Sequence, residues 1–377
     1  MLRLSPLFPL VVVSALLAAL SAPARADTIV KTDGSRIDGV QITAETYEKV
    51  SYRKSGVSSA QSIDASSVRE IVYSRTSRDY RAAIEAREEG KLVESVNLFL
   101  TAADDEGYGE FQQAMCMVEA AEAMLNLASY TDAQDTFQQL LADFPKTRHL
   151  ARALLGQGRA ALAARDLPAA AAAFERLKTE AAEKKLGERW PLEAEYYGLI
   201  TQEIKAGGKL DDRKRDEMIR AYESLRGKTA GTQTAISNQC ALRIGRLKLE
   251  GDDVAAARRM FQEVIDGRLE SGRDVVAGAY NGRGRCGFRE AQQARADGES
   301  PGDIEALYQE ALFDFLRVVV HYTDVQAEQP EALYWAGQCF RNLPSTSQWE
   351  VRAKQLEARL KTDFPESSWG KRSTEER

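Results

Sequence analysis

Apolar residues follow two different periods along this chain. Between Asp27 and Ser74 they alternate with polar ones, as in Thr28-Ile29-Val30-Lys31 and Lys49-Val50-Ser51-Tyr52-Arg53. That is the spacing of strands with one buried face. Five such runs, Thr28–Lys31, Arg36–Ile42, Lys49–Arg53, Ser58–Ile63 and Val68–Tyr73, predict a small five-stranded, barrel-like β domain over residues 27–75, with a short helical turn at Asp64–Ser67. From Ser77 onward the period lengthens to three and four residues, which places apolar side chains on one face of a helix. These segments come in pairs: Ser77–Glu106, Ala114–Pro145, Leu150–Ala182, Trp190–Leu225, Ile236–Ile265, Val275–Tyr322 and Pro330–Phe364. The pattern therefore predicts a mostly α chain of about seven helical hairpins over residues 77–370, closed by a disordered tail at 371–377.

The hairpins share a register. Ala121 is followed twelve positions on by Ala133, four later by Phe137 and eight later by Pro145. Gly158, Ala170 and Phe174 repeat the first three places, as do Gly245, Ala257 and Phe261, while Ser95, Phe99 and Ala102 hold the second-helix places of the first hairpin. Small residues let two helices approach closely, the aromatic fills the gap between them, and proline ends the second helix because it has no backbone donor.

This pattern resembles the tetratricopeptide repeat. The endings Asp143-Phe144-Pro145 and Asp363-Phe364-Pro365 are similar to those of its bacterial envelope branch, and the strand arrangement of the front domain resembles SH3-like and Sm-like barrels. The resemblance implies a superhelical solenoid whose first helices line a concave face, and it carries no catalytic residue. It also implies that the residue after each close-approach position points into that face. Those residues are Glu122, Arg159, Arg246, Arg285 and Gln338, with Arg152 seven residues before Arg159 and Arg289 one turn after Arg285. Arginine presents a planar fork of donors that matches a carboxylate at two points, so a basic stripe there suits an acidic peptide or a free C-terminus. The alternative is that the arginines pair with acids of neighbouring helices, such as Glu193 or Glu250, and hold the solenoid together.

The first 26 residues differ in kind. Arg3 precedes the uncharged apolar run Leu10–Leu20, and Ala24-Arg25-Ala26 supplies small residues at both places of a cleavage site. This predicts a signal peptide removed at Ala26/Asp27 and a periplasmic or secreted protein, the run being shorter than the roughly 20 apolar residues that span a bilayer. Removing it takes the net charge from -6 to -8, because Arg3 and Arg25 leave and no acid does. Nucleic acid is not an expected partner of so acidic a chain. Cys116, Cys240, Cys286 and Cys339 are too far apart for zinc or redox spacings and are expected as buried thiols in first helices.

Two glycine-rich stretches invite comparison with phosphate loops. Gly282-Arg283-Gly284-Arg285-Cys286-Gly287 satisfies GxGxxG but lacks a strand-helix-strand frame, and Arg226-Gly227-Lys228-Thr229 has Tyr222 where the loop requires glycine. The two histidines, His149 and His321, fall near hairpin boundaries, where solvated or capping roles are expected. No cofactor, metal or catalytic set is expected. The function read from the sequence is an exported scaffold for protein-protein interaction, with envelope proteins or peptides as partners. An enzyme or substrate-handling module with scattered residues, and a self-associating structural protein, are the alternatives.

Overall fold

The computed structural model describes residues 26–207, 210–343 and 347–375. The expected export signal, up to residue 25, lies outside them. Residues 27–72 form one antiparallel sheet of five strands, β1 (Asp27–Lys31), β2 (Arg36–Glu45), β3 (Lys49–Lys54), β4 (Gln61–Asp64) and β5 (Val68–Val72), in the order β4-β3-β2-β1-β5. A single 3-10 turn, Ala65–Ser67, precedes β5, where the sequence places it. Alternation decides the faces: Val40, Ile42, Val50 and Tyr52 turn inward with Ile29 and Ile71, while Gln41 and Arg53 pair on the outer side. The strand order leaves β4 and β5 as edges, and among the described residues no pairing closes the sheet into a barrel.

Seven helical hairpins follow. They are α1 (Arg78–Glu88) with α2 (Leu92–Ala103), α3 (Glu110–Asn126) with α4 (Tyr130–Asp143), α5 (Leu150–Ala163) with α6 (Leu167–Glu183), and α7 (Arg189–Lys205) with α8 (Asp212–Thr229). The remaining pairs are α9 (Thr234–Glu250) with α10 (Val254–Asp266), α11 (Arg273–Ala296) with α12 (Pro301–His321), and α13 (Gln329–Asn342) with α14 (Ser347–Asp363). Ser77, Asp166, Asp211, Asp253 and Ser300 cap helix starts, each accepting a backbone N–H of the first turn. Several hairpins turn through a single left-handed residue: Gly90, Ala128 (φ 59°), Arg165 (φ 65°), Asp252 (φ 62°) and Gly298.

The close-approach register is the packing rule of the solenoid. A methyl group at Gly158 would lie 2.4 Å from the Phe174 ring, so the ring fills the space that glycine leaves. Gly245 with Phe261 and Gly284 with Phe315 repeat the contact within their own hairpins. The same rings also lock successive hairpins, since a methyl group at Gly156 would lie 2.2 Å from Phe137 of the hairpin before. The last hairpin lacks this wedge: Gly337 faces the backbone of Ala353, with no ring between.

One expectation is corrected at the end of the chain. Residues 371–375, expected as part of a disordered tail, lie in a further helix, α15 (Ser368–Glu375), and residues 376–377 fall outside the described residues. Trp369 packs 5.0 Å from Tyr334, and Arg372 lies over both rings, so the closing helix covers aromatic surface that the last hairpin leaves open.

The sheet is docked along the side of the solenoid. Tyr47 N–H donates to the Lys146 carbonyl at 3.0 Å, and Tyr73 stacks on Phe111 at 6.0 Å. Arg148 Nε lies 2.9 Å from the buried carboxylate of Glu45, which also accepts the Tyr73 hydroxyl. These contacts come from the start of α3 and from the connection between α4 and α5. Burial pushes the Glu45 carboxyl above the usual range, and Arg148 and Tyr73 oppose that rise.

Candidate functional site

First helices of successive hairpins touch one another from α3 to α13, and second helices make no comparably close contact. The odd-numbered helices therefore form the inner face, and their polar residues line it. At its N-terminal end, Glu119 and Glu122 sit three apart on one face of α3. Arg152 of α5 donates through Nη1 to Glu119 at 2.9 Å and through Nε and Nη2 to Glu122. Arg87 of α1 completes the set on Glu119. Burial disfavours the Arg152 charge, but Glu122 and Glu119 outweigh it and hold the guanidinium in its charged form.

The far half of the face carries a second ion network. Arg243 on α9 pairs with Glu203 on α7 at 2.6 Å, and Arg246 with Glu328 at 2.7 Å. Arg285 on α11 lies 3.4 Å from Glu331 on α13, with its guanidinium over the Trp335 ring. Arg289 donates to the Leu249 carbonyl at 2.8 Å and to Asp252. Burial raises the Glu331 carboxyl, relieved by Arg246 and Arg285, and burial with the nearby Glu203 raises Glu250.

The seven sequence candidates therefore separate, with Glu122 serving as an acid partner of Arg152. Arg152, Arg246, Arg285 and Arg289 are joined to carboxylates of other elements. Their partners are Glu119, Glu122, Glu328, Glu331 and Asp252, in place of the expected Glu193 and Glu250; Glu193 instead pairs with Arg189 on its own helix at 3.0 Å. Gln338 accepts Asn342 Nδ2 at its carbonyl. Arg159 stands apart: it is exposed, has no carboxylate partner among the described residues, and lies 6.0 Å over the ring of Tyr197 on α7. Tyr197 in turn stacks on the wedge Phe174 at 5.4 Å, so the surface beneath Arg159 is anchored in the core. Sequence reasoning missed Tyr197, and it placed Glu122 on the face without its acid neighbour; Glu119 with Glu122 and Glu328 with Glu331, each three apart at helical spacing, were the available signal.

The two glycine motifs are helical. Gly282 to Gly287 lie inside α11, with Gly282 and Gly284 against Phe261 and Phe315, and Arg226 to Thr229 close α8. His149 is buried where a solvated or capping role was expected, and its side chain caps nothing. All four cysteines are free and buried, and burial pushes the Cys116, Cys240 and Cys286 thiols up to about 12. Among the described residues there is no cluster of His, Cys, Asp and Glu able to hold a metal, and no helix long and apolar enough to cross a membrane.

Residues 111–147 match the tetratricopeptide repeat family. The matched stretch is the α3–α4 hairpin with its Phe137 wedge and Pro145 stop, and the other tetratricopeptide-like hairpins extend its register. Similar solved structures include a tetratricopeptide repeat protein from Parabacteroides merdae ATCC 43184, at 12% identity over 79% of this chain and 98% of that one, with a TM-score of 0.46. The C-terminal part of a TPR repeat-containing protein from Cytophaga hutchinsonii is 13% identical over 78% and 98%, with a TM-score of 0.38. The TPR2AB domain of yeast Sti1, in its pHSP90 complex, is 9% identical over 68% and 97%, with a TM-score of 0.29. No curated protein matches the chain.

Proposed function

We propose that the chain is an exported scaffold of the cell envelope that takes an extended, acidic segment of a partner protein along its concave face. The observation that carries this reading is Arg159, a guanidinium left exposed over Tyr197 while its neighbours in the stripe are neutralised by the protein's own acids. A carboxylate meeting Arg159 gains a two-point contact without breaking an existing ion pair. The paired arginines shape the groove, and Arg159 with Tyr197 reads the ligand. Export rests on the leading 26 residues, and the five-stranded sheet serves as a fixed flank of the scaffold.

The test is site-specific crosslinking. A photoreactive side chain placed at Ala163 of α5, exposed and one turn after Arg159 on the same helix face, is compared with one at Val320 on the outer helix α12. The reading predicts partner crosslinks from position 163 that carry acidic sequence. Crosslinks from position 320 alone would contradict it.

A further inference from the structure

A cleft of about 730 Å³ opens where the sheet meets the first hairpins, within the size range of pockets that hold a discrete ligand, roughly 300–1,000 Å³. Arg53 and Lys54 of β3 and Arg75 of the β5–α1 linker line it. All three are exposed, and among the described residues none has an ion pair or a side-chain hydrogen bond. The chain has a net charge of -6, and most of the arginines lining its concave face are paired, so these three leave a local positive wall.

The wall itself favours negative charge. Ser77, the cap of α1, and Phe111 and Gln112 in the first turn of α3 border the cleft, so two helices present their positive ends. Two acids also line it, but both are turned to donors of the protein. Asp27 accepts Ile42 N–H at 3.0 Å and Ser74 N–H at 2.8 Å, and Asp105 accepts Gly107 N–H at 2.8 Å. Tyr108, whose hydroxyl oxygen accepts Ser77 N–H, keeps its own proton to donate, and Phe111 adds an apolar floor. Cations over aromatic and apolar surface fit carboxylates carried on a chain with apolar side chains better than they fit a bare inorganic anion.

We infer that this cleft binds a short acidic polypeptide segment, at a site separate from the concave face. The inference extends the scaffold reading, but its residues are not those of the groove. Export processing at Ala26 would add the Asp27 ammonium to the same wall, because Ala26 and Asp27 line it too.

The experiment is fluorescence anisotropy with a labelled peptide of alternating glutamate and phenylalanine. It is read on Arg159→Gln, in which the groove's own contact is removed, and on Arg159→Gln that also carries Arg53→Gln/Lys54→Gln/Arg75→Gln. The expected result is that Arg159→Gln still binds and that the added triple substitution lowers its affinity about tenfold or more. Binding by Arg159→Gln should also weaken between about 0.1 M and about 1 M salt, as the screening length falls from about 10 Å to about 3 Å. Absence of binding to Arg159→Gln, equal affinity once the triple substitution is added, or indifference to salt would overturn the site. Binding by the parent that disappears in Arg159→Gln would overturn it while leaving the groove reading standing. Displacement of the peptide by inorganic phosphate, beyond what matched chloride achieves, would overturn the assignment to a polypeptide.

Discussion

Arg246 on α9 reaches past α11 to Glu328 at the cap of α13, with its Nη2 2.7 Å from Glu328 Oε1. The pair crosses α11 at Gly278, where a methyl group would lie 2.8 Å from Arg246 Nη2 and 3.3 Å from Glu328 Oε1. Three consecutive first helices are thus tied by one ion pair, and a side chain at Gly278 would push its charged ends aside. The side chains are 30% and 15% exposed, which makes the pair stronger than a surface bridge and weaker than a dry one. Arg246→Gln leaves Glu328 with Asn281 Nδ2 at 3.0 Å but no cation. We expect it to cost about 1–2 kcal/mol, read as a lower urea midpoint at unchanged slope.

Phe137 and Gly156 should be coupled. Phe137→Ala is expected to cost about 3–5 kcal/mol, because it empties the space between two hairpins. Gly156→Ala is destabilising in the parent, where the new methyl group meets the ring at 2.2 Å, and should cost markedly less once the ring is gone. A double-mutant cycle of denaturation midpoints measures the difference, and additive costs would show that the wedge does not bridge these hairpins.

Ala128 turns the α3–α4 hairpin at φ 59°, a conformation that costs a residue with a Cβ about 1–2 kcal/mol. Ala128→Gly should therefore raise stability by about 1 kcal/mol, less the entropy that glycine adds to the unfolded chain. Thermal melting reads this directly, and a lower melting temperature would contradict it.

The wedges and strands were legible in the sequence because their causes are local. A ring four residues after a small residue on one helix is a steric statement, and alternation along a strand is its own evidence. The state of the arginines was not legible. Arg246 and Glu328 are 82 residues apart, and the partners of Arg152 lie on a different hairpin, so only the superhelix brings them together. The docking of the sheet through Glu45 and Arg148 was hidden for the same reason. The helix at residues 371–375 was missed because it is short and almost wholly polar; Trp369 and Tyr334 hold it through a tertiary contact.

His149 makes stability depend on pH. Burial first, then the charges of Arg148 and Arg152, hold its imidazole well below the ordinary 6.5. The unfolded chain takes up this proton near the ordinary value and the folded chain does not. The contribution of His149 is therefore fully present above that value and is lost as pH falls below it. Between about pH 7.5 and about pH 5.5 the loss is on the order of 1 kcal/mol. The carboxyls of Glu45 and Glu331, whose values are raised, act with the opposite sign: acidification from those values toward the ordinary 4.5 stabilises the fold. They are present in both proteins and cancel when His149→Leu is compared with the parent. Denaturation at the two pH values should show the parent losing on the order of 1 kcal/mol more than the variant, and equal losses would mean that His149 charges in place.

The central claim is that Arg159 reads a partner while the other arginines of the stripe hold the solenoid. The direct measurement is recovery of crosslinked partner beside melting temperature, for Arg159→Gln and for Arg246→Gln with Arg285→Gln. The prediction is that Arg159→Gln melts within about a degree of the parent, as an exposed and unpaired charge should, yet loses partner recovery. The paired substitution should melt several degrees lower. Full recovery by Arg159→Gln, or a drop in its melting as large as that of the paired substitution, would contradict the assignment.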